Sequence, residues 1–259
     1  MTHHLPFMLL TSVLGVHAQD TPRAIIINEP SEPIVYPSYH RVNPKGVKLH
    51  LVKFDSRHYQ LSIIDQKNGP ATEWVDAASL GRDQNALAVI NGGFFTAKGA
   101  PLGMVITSGI QRGANNLSSL GSGFYFANKA HAGIARRSTI NEVIRVAKPS
   151  QLIQSGPMLY YQGHAVKGLS TEKSRPRSFV ATDGAFQWLI GYAETATLAQ
   201  LGDALGNKAL AGVNIYHAMN LDGGRSSDFW ISQSVTNGNK TFKAFWNKPV
   251  RNFLILEKK

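Results

Sequence analysis

The sequence has no cysteine in 259 residues. Disulfides, thiolate metal ligands and cysteine nucleophiles are therefore excluded, and packing with hydrogen bonds must hold the fold. Histidine is present nine times but never with H-x-x-x-H or H-E-x-x-H spacing, so no metal and no cofactor is expected. No G-x-S-x-G elbow, no G-x-x-x-x-G-K-[ST] loop and no G-x-G-x-x-G helix start occurs, which removes the common serine-hydrolase and nucleotide-binding signatures. Charged residues make up only 17%. No zinc-finger spacing, helix-turn-helix pattern or basic stripe interleaved with aromatics is found, and nucleic acid is not an expected partner.

What is present is an ordinary globular composition, 43% hydrophobic, in a chain long enough for one large domain. Lysine and arginine outnumber aspartate and glutamate by 27 to 16, a net charge of +11, which favours anionic partners. Residues 1–18 read as a signal peptide. Leu5 to Val16 is an apolar run without Lys, Arg, Asp or Glu, and Val16-His17-Ala18 supplies small residues at the cleavage positions. The run is too short for a comfortable membrane span, so a periplasmic or secreted protein with no stable span after leader cleavage is expected. Residues 19–45 carry five prolines and read as an extended arm. Residues 46–259 form the domain.

Within it, Val47–Ile64 reads as a hairpin turning at Asp55–His58, Thr72–Leu80 as a short helix closed by Gly81, and Ala86–Ile90 as a buried strand. Ser178–Tyr192 reads as a hairpin about Asp183-Gly184. Leu198, Leu201 and Leu205 mark a helix that opens at Thr197 and Gln200, spaced as a capping box, and stops at Gly206. Val213–Asp222 and Val250–Leu256 are further strands. The fold class is α+β: a single strand-rich domain with mixed or antiparallel sheet and a few packed helices.

Chemistry concentrates where strands end in glycine. In Asn220-Leu221-Asp222-Gly223-Gly224-Arg225-Ser226-Ser227, a period of two puts Asn220 and Asp222 on one face. Gly223 and Gly224 open the backbone to a ligand, and Ser226 and Ser227 add hydroxyls. The competing reading is a plain Asp-Gly hairpin turn. Asn91-Gly92-Gly93-Phe94-Phe95 repeats the pattern, with a tight turn as its alternative, and Gly156-Pro157 is a third glycine break. Glu194, between a strand and a helix, either favours the helix dipole or pairs with Asp222 across a scissile bond. In Arg175-Pro176-Arg177, Arg177 adjoins a strand and suits an anion, whereas Arg175 reads as solvated surface.

The ordered set Asn91-Gly92-Gly93-Phe94-Phe95, Gly103-Met104-Val105-Ile106, Gln154-Ser155-Gly156-Pro157-Met158-Leu159, Arg177, Glu194 and Asn220 to Ser227 resembles the phosphodiester glycosidase family, in its short exported bacterial branch. The resemblance covers roughly residues 45–256. It implies a hydrolase that cleaves a sugar-1-phosphodiester in envelope or extracellular glycan. Asp222 and Glu194 would be catalytic. Arg177 and the glycine-loop N–H groups, with Asn91, Gly92, Gly93, Gly156, Asn220, Gly223, Gly224, Ser226 and Ser227, would bind an anionic glycan or sugar phosphate. One departure is Arg225, where the family has a third glycine. The alternative is a non-catalytic binding module for anionic or phosphorylated polysaccharide.

Overall fold

The structure is a computed structural model that describes residues 35–206 and 209–259. The expected signal peptide and residues 19–34 of the expected arm lie outside the described residues. In chain order the elements begin with β1 (Ser38–Val42), β2 (Leu49–Asp55), β3 (Tyr59–Asp65), α1 (Ala77–Asp83), β4 (Ala88–Asn91), β5 (Val105–Thr107) and β6 (Ile110–Arg112). They continue through β7 (Gly123–Ala127), β8 (Ala132–Arg136), α2 (Ile140–Ala147), β9 (Gln151–Ser155), β10 (Met158–Tyr161) and β11 (His164–Ala165). The last are β12 (Arg175–Thr182), β13 (Gln187–Ala196), α3 (Leu198–Leu205), β14 (His217–Asn220), β15 (Asp228–Ile231), β16 (Lys240–Lys243) and β17 (Asn252–Lys258).

The strands form three antiparallel sheets. One has seven strands in the order β1-β2-β13-β12-β14-β10-β11; the others have five, β16-β15-β4-β17-β3 and β6-β5-β9-β7-β8. Period-two alternation explains how they share a core. Val52 and Phe54 of β2, Trp188 and Ile190 of β13 and Val180 of β12 point inward to meet Leu61, Ile90, Leu254, Tyr125 and Ile153 from the other sheets. Their neighbours Leu49, Leu51, Leu189, Phe179 and Ala181 point outward onto Leu201, Ala204 and Leu205 of α3. Each sheet carries one helix on its outer face, since α1 packs on Val89, Phe253 and Ile255 and α2 packs through Ile140 on Phe124 and Leu152. Central strands covered on both faces are the reason their sequences read as near-continuous apolar runs.

The fold class, the hairpin at Asp183-Gly184 and the helix at 198–205 agree with the sequence. In α3 the Thr197 hydroxyl accepts from the Gln200 N–H at 3.1 Å, and the Gln200 carboxamide accepts from the Thr197 N–H at 2.9 Å, a reciprocal capping box. Three expectations change. The expected hairpin at Val47–Ile64 is two strands of different sheets: β2 pairs with β1 and β13, and β3 pairs with β17. The first helix starts later, capped by Asp76. Gly81 lies within it and does not close it; a Cβ there would stand 2.2 Å from the Trp230 ring. The strand expected over Val213–Asp222 is confined to His217–Asn220. At the start of the described chain, Ser38–Val42 of the expected arm is the edge strand β1.

Candidate active site

Strand β4 of one five-stranded sheet and strand β14 of the seven-stranded sheet end side by side, so the two glycine elements meet. The Asp222 N–H donates to the Gly92 carbonyl at 2.9 Å. Asn91 joins the sheets from behind. Its Nδ2 donates to the Asp222 carbonyl at 2.7 Å, while its Oδ1 accepts from the Ser178 hydroxyl at 2.6 Å and from the Asp228 N–H at 3.1 Å. Asn91 is fully buried and committed to these bonds, which makes it a positioning residue for Asp222. Gly92 and Gly93 serve packing: a Cβ at Gly92 would lie 2.2 Å from Asn252 Oδ1, and one at Gly93 would lie 2.9 Å from the Gln154 carbonyl.

In front of this clasp is a cavity of about 180 Å³ lined by Phe94, Leu120, Gly156, Pro157, Ser170, Lys173, Arg175, Arg177, Leu198, Asn220, Asp222 and Gly223. Asp222 is the one carboxylate among these walls. Burial pushes its carboxyl up to about 6, against smaller opposing effects of the Ser226 hydroxyl, the Gly223 N–H, Lys248 and Arg175. Arg177 is almost fully buried. Its Nε donates to the Ala196 carbonyl at 3.1 Å and its Nη2 to the Lys173 carbonyl at 2.7 Å, which leaves Nη1 without a hydrogen bond among the described residues. Burial first, then Arg175, lowers it to about 10, so it remains a cation at neutral pH. Among the described residues neither Lys173, Arg175 nor Arg177 lies in an ion pair. A buried, uncompensated guanidinium of this kind is stabilised by an anionic ligand. Asn220 Nδ2 donates to the Gly156 carbonyl at 2.8 Å, while its buried Oδ1 has no hydrogen-bond partner among the described residues.

Glu194 does not join this group. Ala193 pairs with Arg177 across β12 and β13 and so shares its face, which sends the next side chain, Glu194, to the other face. There its carboxylate accepts from His50 Nε2 at 3.0 Å and faces Lys48 Nζ at 3.7 Å and Arg41 at 4.0 Å. Those partners, the His50 bond first, hold its carboxyl below the usual glutamate range. Gly156, Arg177, Asn220, Asp222 and Gly223 line the cavity; Asn91, Gly92, Gly93, Gly224, Ser226 and Ser227 are not among its lining residues. Gly224 has a φ of +65°, which glycine alone adopts easily. Arg225 has no such φ and needs no glycine. Its Nε donates to the Trp246 carbonyl at 3.0 Å.

Lys173 and Arg175 were not among the expected binding residues. Their signal was the closeness of three cations at 173, 175 and 177, just before and at the start of β12. A larger cavity of about 380 Å³ lies at the hairpin end of β12 and β13, with Phe54, Tyr125, Phe186 and Trp188 in its walls. No Asp or Glu side chain lines it. Among the described residues no group of His, Asp and Glu is arranged to hold a metal ion.

At the edge where the sheets meet, one cavity thus sets a single elevated carboxylate beside three cations. The sequence model of the phosphodiester glycosidase family matches residues 84–257, and the chain belongs to that family. The fold is similar to the catalytic domain of zebrafish N-acetylglucosamine-1-phosphodiester alpha-N-acetylglucosaminidase, auto-inhibited by its pro-peptide, with a TM-score of 0.60 and 16% identity over 89% of this chain and 86% of that one. A hypothetical protein from Synechocystis is similar with a TM-score of 0.57 and 16% identity, over 85% of this chain and 61% of that one. No curated protein sequence matches the chain.

Proposed function

We propose that the protein is an exported phosphodiester glycosidase that hydrolyses a sugar-1-phosphodiester of envelope or extracellular glycan. The observation that carries this reading is that Lys173, Arg175 and Arg177, none of them in an ion pair among the described residues, share one cavity with the elevated carboxylate of Asp222. At about 180 Å³ the cavity is below the roughly 300–1,000 Å³ of sites that enclose drug-sized ligands, so it takes one sugar ring or one phosphate group at a time, with the remainder outside.

The guanidinium groups neutralise the phosphodiester, and the Asp222 carboxylate lies against the anomeric carbon. As the bond from that carbon to the bridging oxygen breaks, positive charge grows on the sugar ring and negative charge on the phosphate. The carboxylate stabilises the first and the cations the second. The bridging oxygen leaves with the phosphate as a phosphomonoester, and the oxygen of water ends on the anomeric carbon, with one proton kept on the new sugar hydroxyl and the other released to solvent. A phosphate held by arginine departs without a proton, so a second carboxyl acting as general acid is not required, in keeping with Glu194 on the opposite face. Export belongs to the proposal and rests on the apolar segment Leu5–Val16 and its Val16-His17-Ala18 end.

The test is incubation of the purified protein with an N-acetylglucosamine-1-phosphodiester or a UDP-sugar, reading released sugar and phosphomonoester. Turnover that falls about 10²-fold or more in Asp222→Asn supports the reading. Binding of the sugar phosphate without turnover would make the domain a binding module instead.

A further inference from the structure

Two adjacent aromatic side chains stand out of the surface: Phe245 is 90% exposed and Trp246 72% exposed. They follow β16 on a segment that is tied down rather than loose. The Trp246 carbonyl accepts from Arg225, Asn247 Nδ2 donates to the Arg225 and Ser227 carbonyls at 3.1 and 3.2 Å, and the Lys248 N–H donates to the Arg225 carbonyl at 2.7 Å. Lys248 Nζ sits 4.9 Å over the Phe95 ring, and the adjacent Phe94 lines the cavity. The aromatic pair thus sits on a segment hydrogen-bonded to the turn that follows Asp222.

Along this segment of the sequence the charge is of one sign. From Phe229 to Leu256 there is no Asp or Glu, but there are Lys240, Lys243, Lys248 and Arg251. Lys243 pairs with Asp76 and Arg251 with Asp65, whereas Lys240, Lys248 and Arg225 have no carboxylate partner among the described residues. A further apolar group, Leu120, lines the cavity while 39% exposed, and Leu117 close by in the chain is 75% exposed.

A glycan partner would call for coplanar ring faces to stack on and for carboxylates or amides to hold hydroxyls. Here the rings cross at 81° with centroids 4.9 Å apart, a wedge and not a platform. Tryptophan and phenylalanine projecting together between unpaired lysines match the interface of an anionic bilayer, where the rings enter the headgroup layer and the ammonium groups meet lipid phosphates.

We propose that Phe245 and Trp246, with Lys240, Lys248 and Arg225, dock this protein reversibly on an anionic lipid surface, with the rim of the Asp222 cavity turned toward the headgroups. The docking is independent of whether the cavity hydrolyses sugar phosphodiesters, because its readout is binding. The test is co-sedimentation of the full chain with phosphatidylglycerol–phosphatidylcholine vesicles and with phosphatidylcholine vesicles, alongside Trp246 fluorescence referenced to Trp246→Phe. Binding to the anionic vesicles alone is expected, with a blue shift that Trp246→Phe abolishes and a partition coefficient that drops roughly tenfold in Phe245→Ser/Trp246→Ser. Both side chains are exposed, so the double variant should keep the circular dichroism spectrum of the parent. No binding at low salt would overturn the proposal, as would equal binding by the parent and the double variant, which would reduce the effect to net charge. Aromatic-dependent binding to an anionic polysaccharide such as alginate, without vesicle binding, would reassign the pair to glycan.

Discussion

Replacing Asp222 by asparagine should stabilise the protein at neutral pH and leave it nearly unchanged in acid. Burial raises this carboxyl from its ordinary 3.8 to about 6. A group raised in the folded state contributes stability that is fully present below its unfolded pKa and is lost as pH climbs through the folded one. The difference of about two pK units corresponds to about 3 kcal/mol, most of it lost between pH 4 and pH 7. Asparagine cannot ionise, so the variant escapes that loss. It also accepts less well from the Ser226 hydroxyl and the Gly223 N–H, which makes 3 kcal/mol an upper bound. For a domain of this size the gain corresponds to a rise in Tm of roughly 6–12 °C. Asp228 is raised to about 6 as well, mainly by burial, but it is common to both proteins and cancels in the difference. The assay is urea denaturation of parent and variant at pH 4 and at pH 8. A difference between the two proteins that is the same at both pH values would refute the placement of Asp222 as a desolvated carboxylate.

Loss of Arg175 in Arg175→Ala, or replacement of the fork in Arg177→Lys, should reduce kcat/KM for a sugar phosphodiester by roughly 10- to 150-fold, the equivalent of about 1.5–3 kcal/mol for a hydrogen bond to a charged group; initial rates at limiting substrate check this. Glu194→Gln should keep kcat/KM within about threefold, because its side chain leaves the opposite face of the sheet. Its stability change should be at most about 1 kcal/mol, as for exposed pairs, present at neutral pH and vanishing as acid protonates the parent's glutamate; thermal unfolding across pH checks that limb.

Much of the architecture was legible because some signals are local. Thr197 with Gln200 and Asp183 with Gly184 each act over a few residues, and both α3 and the β12–β13 hairpin form as those residues direct, down to Ser178 facing Tyr192. The β2–β3 junction was not legible. Its two strands are apolar on alternate positions whichever sheet they join, and the choice is made by β13 and β17, far along the chain. The site divides in the same way. Asn220 and Asp222 share a face by counting along one strand. The exclusion of Glu194 depends on the register of Ala193 with Arg177, which no spacing within a single segment reveals. Asn91 was singled out as a ligand contact for the right location but the wrong physical role: it bonds the backbone of Asp222 from within the core. Gly92 and Gly93 clear space for Asn252 and Gln154 rather than for a ligand.

The most direct test of the account is the pH dependence of kcat/KM on an N-acetylglucosamine-1-phosphodiester. If the ionised Asp222 carboxylate faces the anomeric carbon, activity should climb with pH along a limb centred near 6, the value to which burial raises that carboxyl, and Asp222→Asn should abolish both the limb and the turnover. Full activity in Asp222→Asn, or activity that declines as pH rises through 6, would contradict it.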